Sequence, residues 1–230
     1  MNKVTYFNNA DLLATAAAEC FVKLAAEAIQ LKGKFTVALS GGNTPAAMYT
    51  LLAGDFYSQQ VDWKNCYFFW GDERCVPLND KDNNSFNAKN ILLDKMPIPK
   101  KNIFVIPVEE SSVNAAIYYE ATIKIFFKTD KPVFDLILLG MGANGHTASL
   151  FPHTTILHEE KALVKEVYVE EIKMNRVSIT APLINNAKQI LFLVAGKDKS
   201  ATLKKVLEGD FEPQNYPAQL IKNAEWFVSI

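Results

Sequence analysis

The chain has 230 residues, 49% of them hydrophobic and 21% charged, and its 24 basic against 25 acidic side chains give a net charge of -1. That length can bury a large core, and the balanced charge offers no whole-protein field to attract nucleic acid or an anionic membrane. Three cysteines (Cys20, Cys66, Cys75) without C-x-x-C spacing argue against a disulfide framework or a zinc site and fit a reducing cytoplasm.

In chain order, the N-terminal stretch lacks a basic region followed by an apolar core, so no signal peptide is expected. The apolar segment from Leu12 to Ile29 carries Glu19, Lys23 and Glu27, which excludes a membrane span. Its spacing predicts a helix from about Asp11 to Leu31, introduced by Asn8-Asn9 and closed by Gly33. F-T-V-A-L (35–39) reads as a buried strand running into S-G-G-N-T-P (40–45). There Thr44 and Pro45 suit the N-cap and first position of a helix that stops at Gly54. The aromatic strand C-Y-F-F-W (66–70) delivers a polar loop, G-D-E-R (71–74).

N-I-F-V-I-P (102–107) reads as a further strand, Ser111-Ser112 open a helix reaching about Lys128, and V-F-D-L-I-L-L (133–139) is the most apolar strand. Strands are also expected over 162–169, 176–180, 189–195 and 226–230, with a helix around Thr202 to Leu207. No repeat or linker divides the chain. The alternation predicts a single α/β domain over residues 1–230, open and Rossmann-like, with a mainly parallel sheet and helices on both faces. Ligands of such sheets bind outside the carboxyl ends of the strands, and three of those ends here are chemically rich.

S-G-G-N-T-P joins a strand to a helix N-terminus, where two glycines and the helix dipole suit a phosphate, and Ser40 and Thr44 add hydroxyls. It lacks the G-K-[ST] of a nucleotide-triphosphate loop, and a plain Gly-Gly turn is the alternative. In G-D-E-R, Arg74 could grip a phosphate with its planar guanidinium, and Asp72 and Glu73 could orient that arginine or act as bases. A salt-bridged surface loop is the alternative. The third end, L-G-M-G-A-N-G-H-T-A-S-L-F-P (139–152), contains G-x-G-x-x-G with His146 directly after the last glycine.

A dinucleotide loop would need a full crossover helix after it, and Pro152 limits one here to about two turns. The glycines instead suit a loop that aims His146 into the crevice as a general base. His153 and His158 complete no metal spacing with His146, so no metal is expected. Ser149, on what reads as a short helix, lacks the G-x-S-x-G surroundings of a nucleophile and is expected to pack, as is Cys75.

These three segments, in this order, resemble 6-phosphogluconolactonase of the pentose phosphate pathway, as does the stretch R-V-S-I-T-A-P-L-I-N-N-A-K-Q-I-L-F-L-V-A-G-K-D-K (176–199). The resemblance covers residues 40 to about 220 and implies a metal-free, cofactor-free hydrolase that opens 6-phospho-D-glucono-1,5-lactone. The related glucosamine-6-phosphate deaminase typically reads G-H-I-A-F-N-E-P and D-E-Y. Thr147, Ser149, Leu150 and Arg74 side with the lactonase, while Asp72 matches an acidic position of both. The family usually has D-G-H where this chain has Asn144-Gly145-His146, and commonly an acidic residue near Ser229.

The resemblance and the residues together imply a phosphate site from Ser40, Gly41, Gly42, Thr44 and Arg74, with Arg176 and Lys199 at matching basic positions. Asp72 and Gly145 are expected among the substrate contacts. His146 is expected to activate water, with Asn144 orienting the imidazole or the water, and backbone N–H groups of the glycine loop are candidates for stabilising the oxyanion. The expected partner is a small sugar-phosphate lactone, with no nucleic acid or membrane, for a cytoplasmic monomer or small homo-oligomer. A deaminase or a non-catalytic sugar-phosphate-binding relative is the alternative.

Overall fold

The computed structural model describes residues 2–230. Six strands form one parallel sheet: β1 (Lys3–Tyr6), β2 (Phe35–Leu39), β3 (Cys66–Trp70), β5 (Leu136–Leu139), β8 (Gln189–Ala195) and β9 (Glu225–Ser229). Their spatial order is β1-β9-β8-β5-β2-β3, every neighbouring pair parallel. All residues of β2 and β5 are buried, which is why β5 reads as an unbroken apolar run and β2 as one interrupted only by Thr36, rather than as alternating strands. The mainly parallel α/β architecture expected from the sequence is present.

Alternate residues of β3 show how the two faces are covered. Phe68 stacks on Trp63, which packs against Phe21 of helix α1 (Ala10–Lys32). Its neighbour Phe69 points the other way, into Phe104, Phe134 and the Tyr119 and Phe126 rings of α5 (Ser112–Phe127). The α1 helix is bounded as its sequence demands: Asn9 accepts the Leu12 N–H at 2.9 Å, and Gly33 closes it at φ 74°. Helix α2 (Asn43–Ala53) packs beside α1 and follows β2.

Three strands form a second, antiparallel sheet in the order β4-β7-β6: β4 (Asp72–Arg74), β6 (Val164–Val169) and β7 (Met174–Ile179). Gly71 joins the two sheets, its N–H donating to Leu39 O at 2.9 Å and its carbonyl accepting from Ile179 N at 2.8 Å. So 162–169 and 176–180, expected within the general alternation, belong to a separate sheet, and G-D-E-R is a strand rather than a loop.

Other expectations are corrected. N-I-F-V-I-P forms no strand. It meets the open edge of β3 through one rung, Phe104 N–H to Phe68 O at 2.9 Å, and then turns away, the Val108 N–H donating back to Ile106 O at 2.9 Å. Helix α2 begins at Asn43 with Gly42 as its N-cap (φ 100°), so Pro45 sits at the third helical position, where a missing N–H still costs nothing. No α-helix follows the glycine loop, and Ser149 lies in a turn.

Far from the strand ends that matter, Asp135 pins β2 to the start of β5. Its carboxylate accepts the Thr36 N–H and hydroxyl at 2.9 and 2.8 Å and pairs with Lys32 and Lys188 at 2.9 and 3.1 Å. Burial alone would raise its pKa, but Lys32 and the two Thr36 donors outweigh it and hold the carboxyl below its usual range.

Candidate active site

After β2 the chain moves to β3 on one side of the sheet; later it enters β5 on the other side of β2. The strand order therefore reverses between β2 and β5, which opens a crevice at their carboxyl ends. One cavity there is lined by Ser40, Gly41, Gly42 and Thr44 after β2, by Asp72 and Arg74 of β4, by Gly142 and His146 after β5, by Arg176 of β7, and by Lys199 beyond β8. Residues up to 159 positions apart in sequence (40 to 199) thus share one wall system.

The first wall is held by Tyr49, whose hydroxyl accepts the Ser40 N–H at 3.2 Å and donates to the Ser40 carbonyl at 2.8 Å. Among the described residues no side chain caps α2, so its N-terminal N–H groups remain open to an anion. Gly41 is required by contact: a Cβ there would overlap the Asn84 amide. Asn84 begins helix α4 (Asn84–Ile91), donates to the Asp72 carbonyl at 3.0 Å, and lines the cavity.

The second wall is the β4/β7 pair. Asp72 and Arg74 lie on one face of β4, and Arg74 is directly opposite Arg176 in the register. Two guanidiniums facing each other across a ladder repel, an arrangement that favours an anion between them. Asp72 neutralises one: its Oδ2 accepts from Arg176 Nη2 at 2.9 Å and from the Ser149 hydroxyl at 2.5 Å, while Arg176 Nε donates to that hydroxyl at 2.6 Å. Burial favours the protonated acid, but Arg176, Ser149 and Arg74 together overcome it and leave Asp72 more acidic than usual.

Asp72 therefore orients Arg176, not Arg74, and Ser149 is a buried polar link rather than a packing residue. Arg74 is held instead by Nη1 donating to the Asp82 carbonyl at 2.6 Å, and its Nε finds no partner among the described residues. Glu73 projects to the opposite face of β4, where its carboxylate accepts the N–H groups of Asn84 and Ser85 at 2.7 and 2.8 Å. Burial pushes its carboxyl up to about 7 despite those donors, and it takes no part in the cavity.

The third wall is the glycine loop. A Cβ on Gly142 would collide with the His146 ring, so this glycine makes room for the imidazole rather than for a pyrophosphate. The Gly142 and Gly145 N–H groups donate to His146 O and Gly142 O at 2.9 and 3.0 Å. They are consumed within the loop, which removes Gly145 as an N–H donor to substrate. Gly145 instead sits at φ 79° against Tyr216 and accepts the Ala218 N–H at 2.9 Å.

The His146 ring stacks on Phe151, centroids 4.0 Å apart and 15° from parallel, and Arg176 lies over the same phenyl at 5.4 Å. Its Nδ1 is 2.6 Å from Asn144 Oδ1. Burial, followed by the positive charges of Arg176, Arg74 and Lys199, pulls the imidazole down to about 4 against the opposing pull of Asp72. It is neutral at neutral pH. Asn144 lies behind the histidine, outside the main cavity, in an adjoining hollow shared with Arg74, Phe151 and Glu171.

Three cations (Arg74, Arg176, Lys199) against one carboxylate (Asp72) leave the cavity positive in a protein of net charge -1. Among the described residues no His, Cys, Asp and Glu cluster could hold a metal ion, and no helix is long and apolar enough to cross a membrane. Cations able to hold a phosphate-sized anion and a neutral imidazole in one cavity suit hydrolysis of a phosphorylated small molecule. The family model for glucosamine-6-phosphate isomerases/6-phosphogluconolactonase matches residues 8–228.

The chain belongs to that enzyme family. It is 38% identical over 218 residues to a Synechocystis 6-phosphogluconolactonase, spanning 93% of this chain and 88% of the relative. The Haemophilus influenzae 6-phosphogluconolactonase is also 38% identical, over 86% of both chains. Among solved structures, that of the Thermotoga maritima 6-phosphogluconolactonase superposes over the full length of both chains at 29% identity with a TM-score of 0.86. A monomeric glucosamine-6-phosphate deaminase shares the fold at 20% identity and a TM-score of 0.84.

Sequence reasoning brought most of this set together but missed Asn84 and Phe151. Asn84 carries only the appearance of a helix-start residue, and Phe151 reads as ordinary core; nothing in the local sequence places Asn84 on the cavity wall or Phe151 against the histidine ring.

Proposed function

We propose that this chain is a 6-phosphogluconolactonase that hydrolyses 6-phospho-D-glucono-1,5-lactone to 6-phospho-D-gluconate, a carboxylic ester hydrolase of the oxidative pentose phosphate pathway. The observation that carries the reading is the sharing of one cavity by a cationic anion site and a neutral imidazole with a free ring nitrogen. The phosphate binds at the open N-terminus of α2, between Arg74, Arg176 and Lys199, with the Thr44 hydroxyl and the Gly41–Gly42 backbone against it. Fixing that remote dianion orients the lactone ring, so binding energy appears as alignment at C1.

His146 then acts as general base. Its Nε2 takes a proton from water as the water oxygen bonds to C1. The C1–ring-oxygen bond breaks as the tetrahedral adduct collapses, and the imidazolium returns the proton to the departing ring oxygen. Asn144 orients the imidazole. The chain works without metal or cofactor in this scheme.

The test compares lactone decay with and without protein at fixed pH, because the lactone also opens spontaneously. Catalysed decay is expected, with His146→Ala lowering kcat by roughly 10²-fold while KM changes little. Turnover by the His146→Ala protein at the native rate would remove the histidine from the chemistry. Ammonia release from glucosamine 6-phosphate would instead indicate deaminase activity, and binding of 6-phosphogluconate without turnover a non-catalytic relative.

A further inference from the structure

Behind His146 stands a second side chain that the reaction scheme does not yet use. Asn144 Nδ2 donates to Glu171 Oε2 at 3.1 Å. A carboxylate only accepts hydrogen bonds, so this contact requires the amide nitrogen, not the oxygen, to face Glu171. The amide oxygen is thereby turned toward the histidine, where it accepts the His146 backbone N–H at 3.2 Å and stands 2.6 Å from Nδ1. An oxygen so placed can only accept from the ring. Nδ1 must carry the proton, and Nε2 is left with the lone pair a general base needs.

We propose that Glu171 is a positioning residue of the reaction: together with the His146 backbone N–H on the amide oxygen, it holds the Asn144 amide in the orientation that favours the Nδ1–H form of His146, and it supplies, two hydrogen bonds from the ring, the negative charge that an asparagine lacks. As Nε2 takes the proton from water, the growing positive charge on Nδ1–H is met by the Asn144 oxygen, which the carboxylate polarises from behind. No proton passes beyond the imidazole. Glu171 belongs to the 3-10 turn Glu170–Ile172 between β6 and β7, so the small sheet supplies both Arg176 in the main cavity and the carboxylate in the adjoining hollow. Glu171 does not line the main cavity, and its one side-chain partner among the described residues is Asn144, so its removal is expected to act on kcat more than on KM although Arg74 and Arg176 border both hollows.

The inference rests on His146 being the base, and the experiment separates the two. Imidazole 15N spectra, with the His146 signals assigned by their loss in His146→Ala, report the tautomer directly. Kinetics are measured for Glu171→Ala, Glu171→Gln and Asn144→Asp, and for Glu171→Ala combined with Asn144→Asp. The expected result is an Nδ1–H signal in the native protein and in Glu171→Gln, whose amide oxygen still accepts from Asn144, with a mixture of tautomers in Glu171→Ala. Glu171→Ala should lower kcat about two- to fivefold, the scale of a solvent-screened charged hydrogen bond, with KM within about twofold. In the Asn144→Asp background, where there is no amide to orient, Glu171→Ala should bring no further loss.

Native kcat in Glu171→Ala, an equal loss in both backgrounds, or a change confined to KM would each overturn the role. Should His146→Ala retain native turnover, the base assignment fails while the tautomer spectra still decide whether Glu171 controls the ring.

Discussion

At the scale of the residue, His146 is set by what surrounds it rather than by its own chemistry. Buried against Phe151 and faced by Arg176, Arg74 and Lys199, its imidazole is pulled down to about 4, with Asp72 opposing the shift. The sign follows directly: the neutral, proton-accepting form persists above that pH and is lost below it. In free protein, once kcat/KM is corrected for the substrate phosphate, which leaves its dianion form near about pH 6, no histidine limb should appear at 6.5, where an ordinary imidazole is half protonated, and the His146 limb should lie only near pH 4. A phosphate dianion between the cations cancels part of the repulsion, so the acid limb of kcat, which reports the bound state, should lie at higher pH than that of kcat/KM. Coincident limbs near 6.5 would contradict this account. Gly142 is the second decisive residue. Alanine there drives a methyl into the imidazole, which cannot retreat through the Phe151 ring stacked upon it. Gly142→Ala should cost at least about tenfold in kcat, as a displaced catalytic group does, and lower the thermal midpoint through the same overlap; native kinetics in that variant would show that the ring has another place to go.

At the scale of the element, each wall of the cavity is the end of a strand braced by something distant in sequence. The β2 end is clamped by Tyr49 from α2, and the β3 end by Tyr119 of α5, whose hydroxyl accepts the Trp70 N–H at 2.7 Å and donates to its carbonyl at 3.0 Å. The opposite ends of β2 and β5 are tied by Asp135. Asp135→Ala leaves the buried Thr36 N–H unpaired and two lysines without their carboxylate. Those lysines are partly exposed and can turn to water, so a loss of about 3 kcal/mol in unfolding free energy, at the low end for a broken buried pair, is expected by urea denaturation. Because the pin lies at the far end of the strands, kcat of the folded Asp135→Ala protein should remain native. A large kcat loss at unchanged stability would mean that the strand ends are not independent.

At the scale of the whole molecule, charge is distributed rather than accumulated. A net charge of -1 gives no long-range attraction, yet three cations converge on one cavity. Recognition of a dianion should therefore be local and screened. Raising salt from 0.05 to 0.5 M, which shortens the Debye length to about 4 Å, should lower kcat/KM several-fold for the phosphorylated lactone and leave that for plain gluconolactone unaltered. Equal salt dependence for both substrates would remove the cationic cavity as the source of discrimination. The two sheets meet at Gly71, so the parallel sheet supplies the anion-facing helix end and the histidine loop, while the antiparallel sheet supplies Asp72, Arg74, Arg176 and Glu171.

The amino-acid order by itself determined the principal strands and helices, because their signals are local: apolar runs in β2, β5 and β8, the Asn9 and Ser111 caps, and Gly33 at φ 74°. It also pointed to the three strand-end segments and to His146, because each alone has an ordinary alternative but their coincidence at the carboxyl ends of strands does not. Local pattern could not separate a strand of the main sheet from one of β4, β6 and β7, because alternation does not say which edge a strand will join. Only the tertiary structure decided that Asp72 serves Arg176, that Ser149 links them, that Gly142 makes room for an imidazole, and that Glu171 stands behind Asn144. Each of these is a contact between segments that close on one another only when the strand order reverses at β2. Direction and distance across such a gap are properties of the packed sheet, not of any stretch of chain.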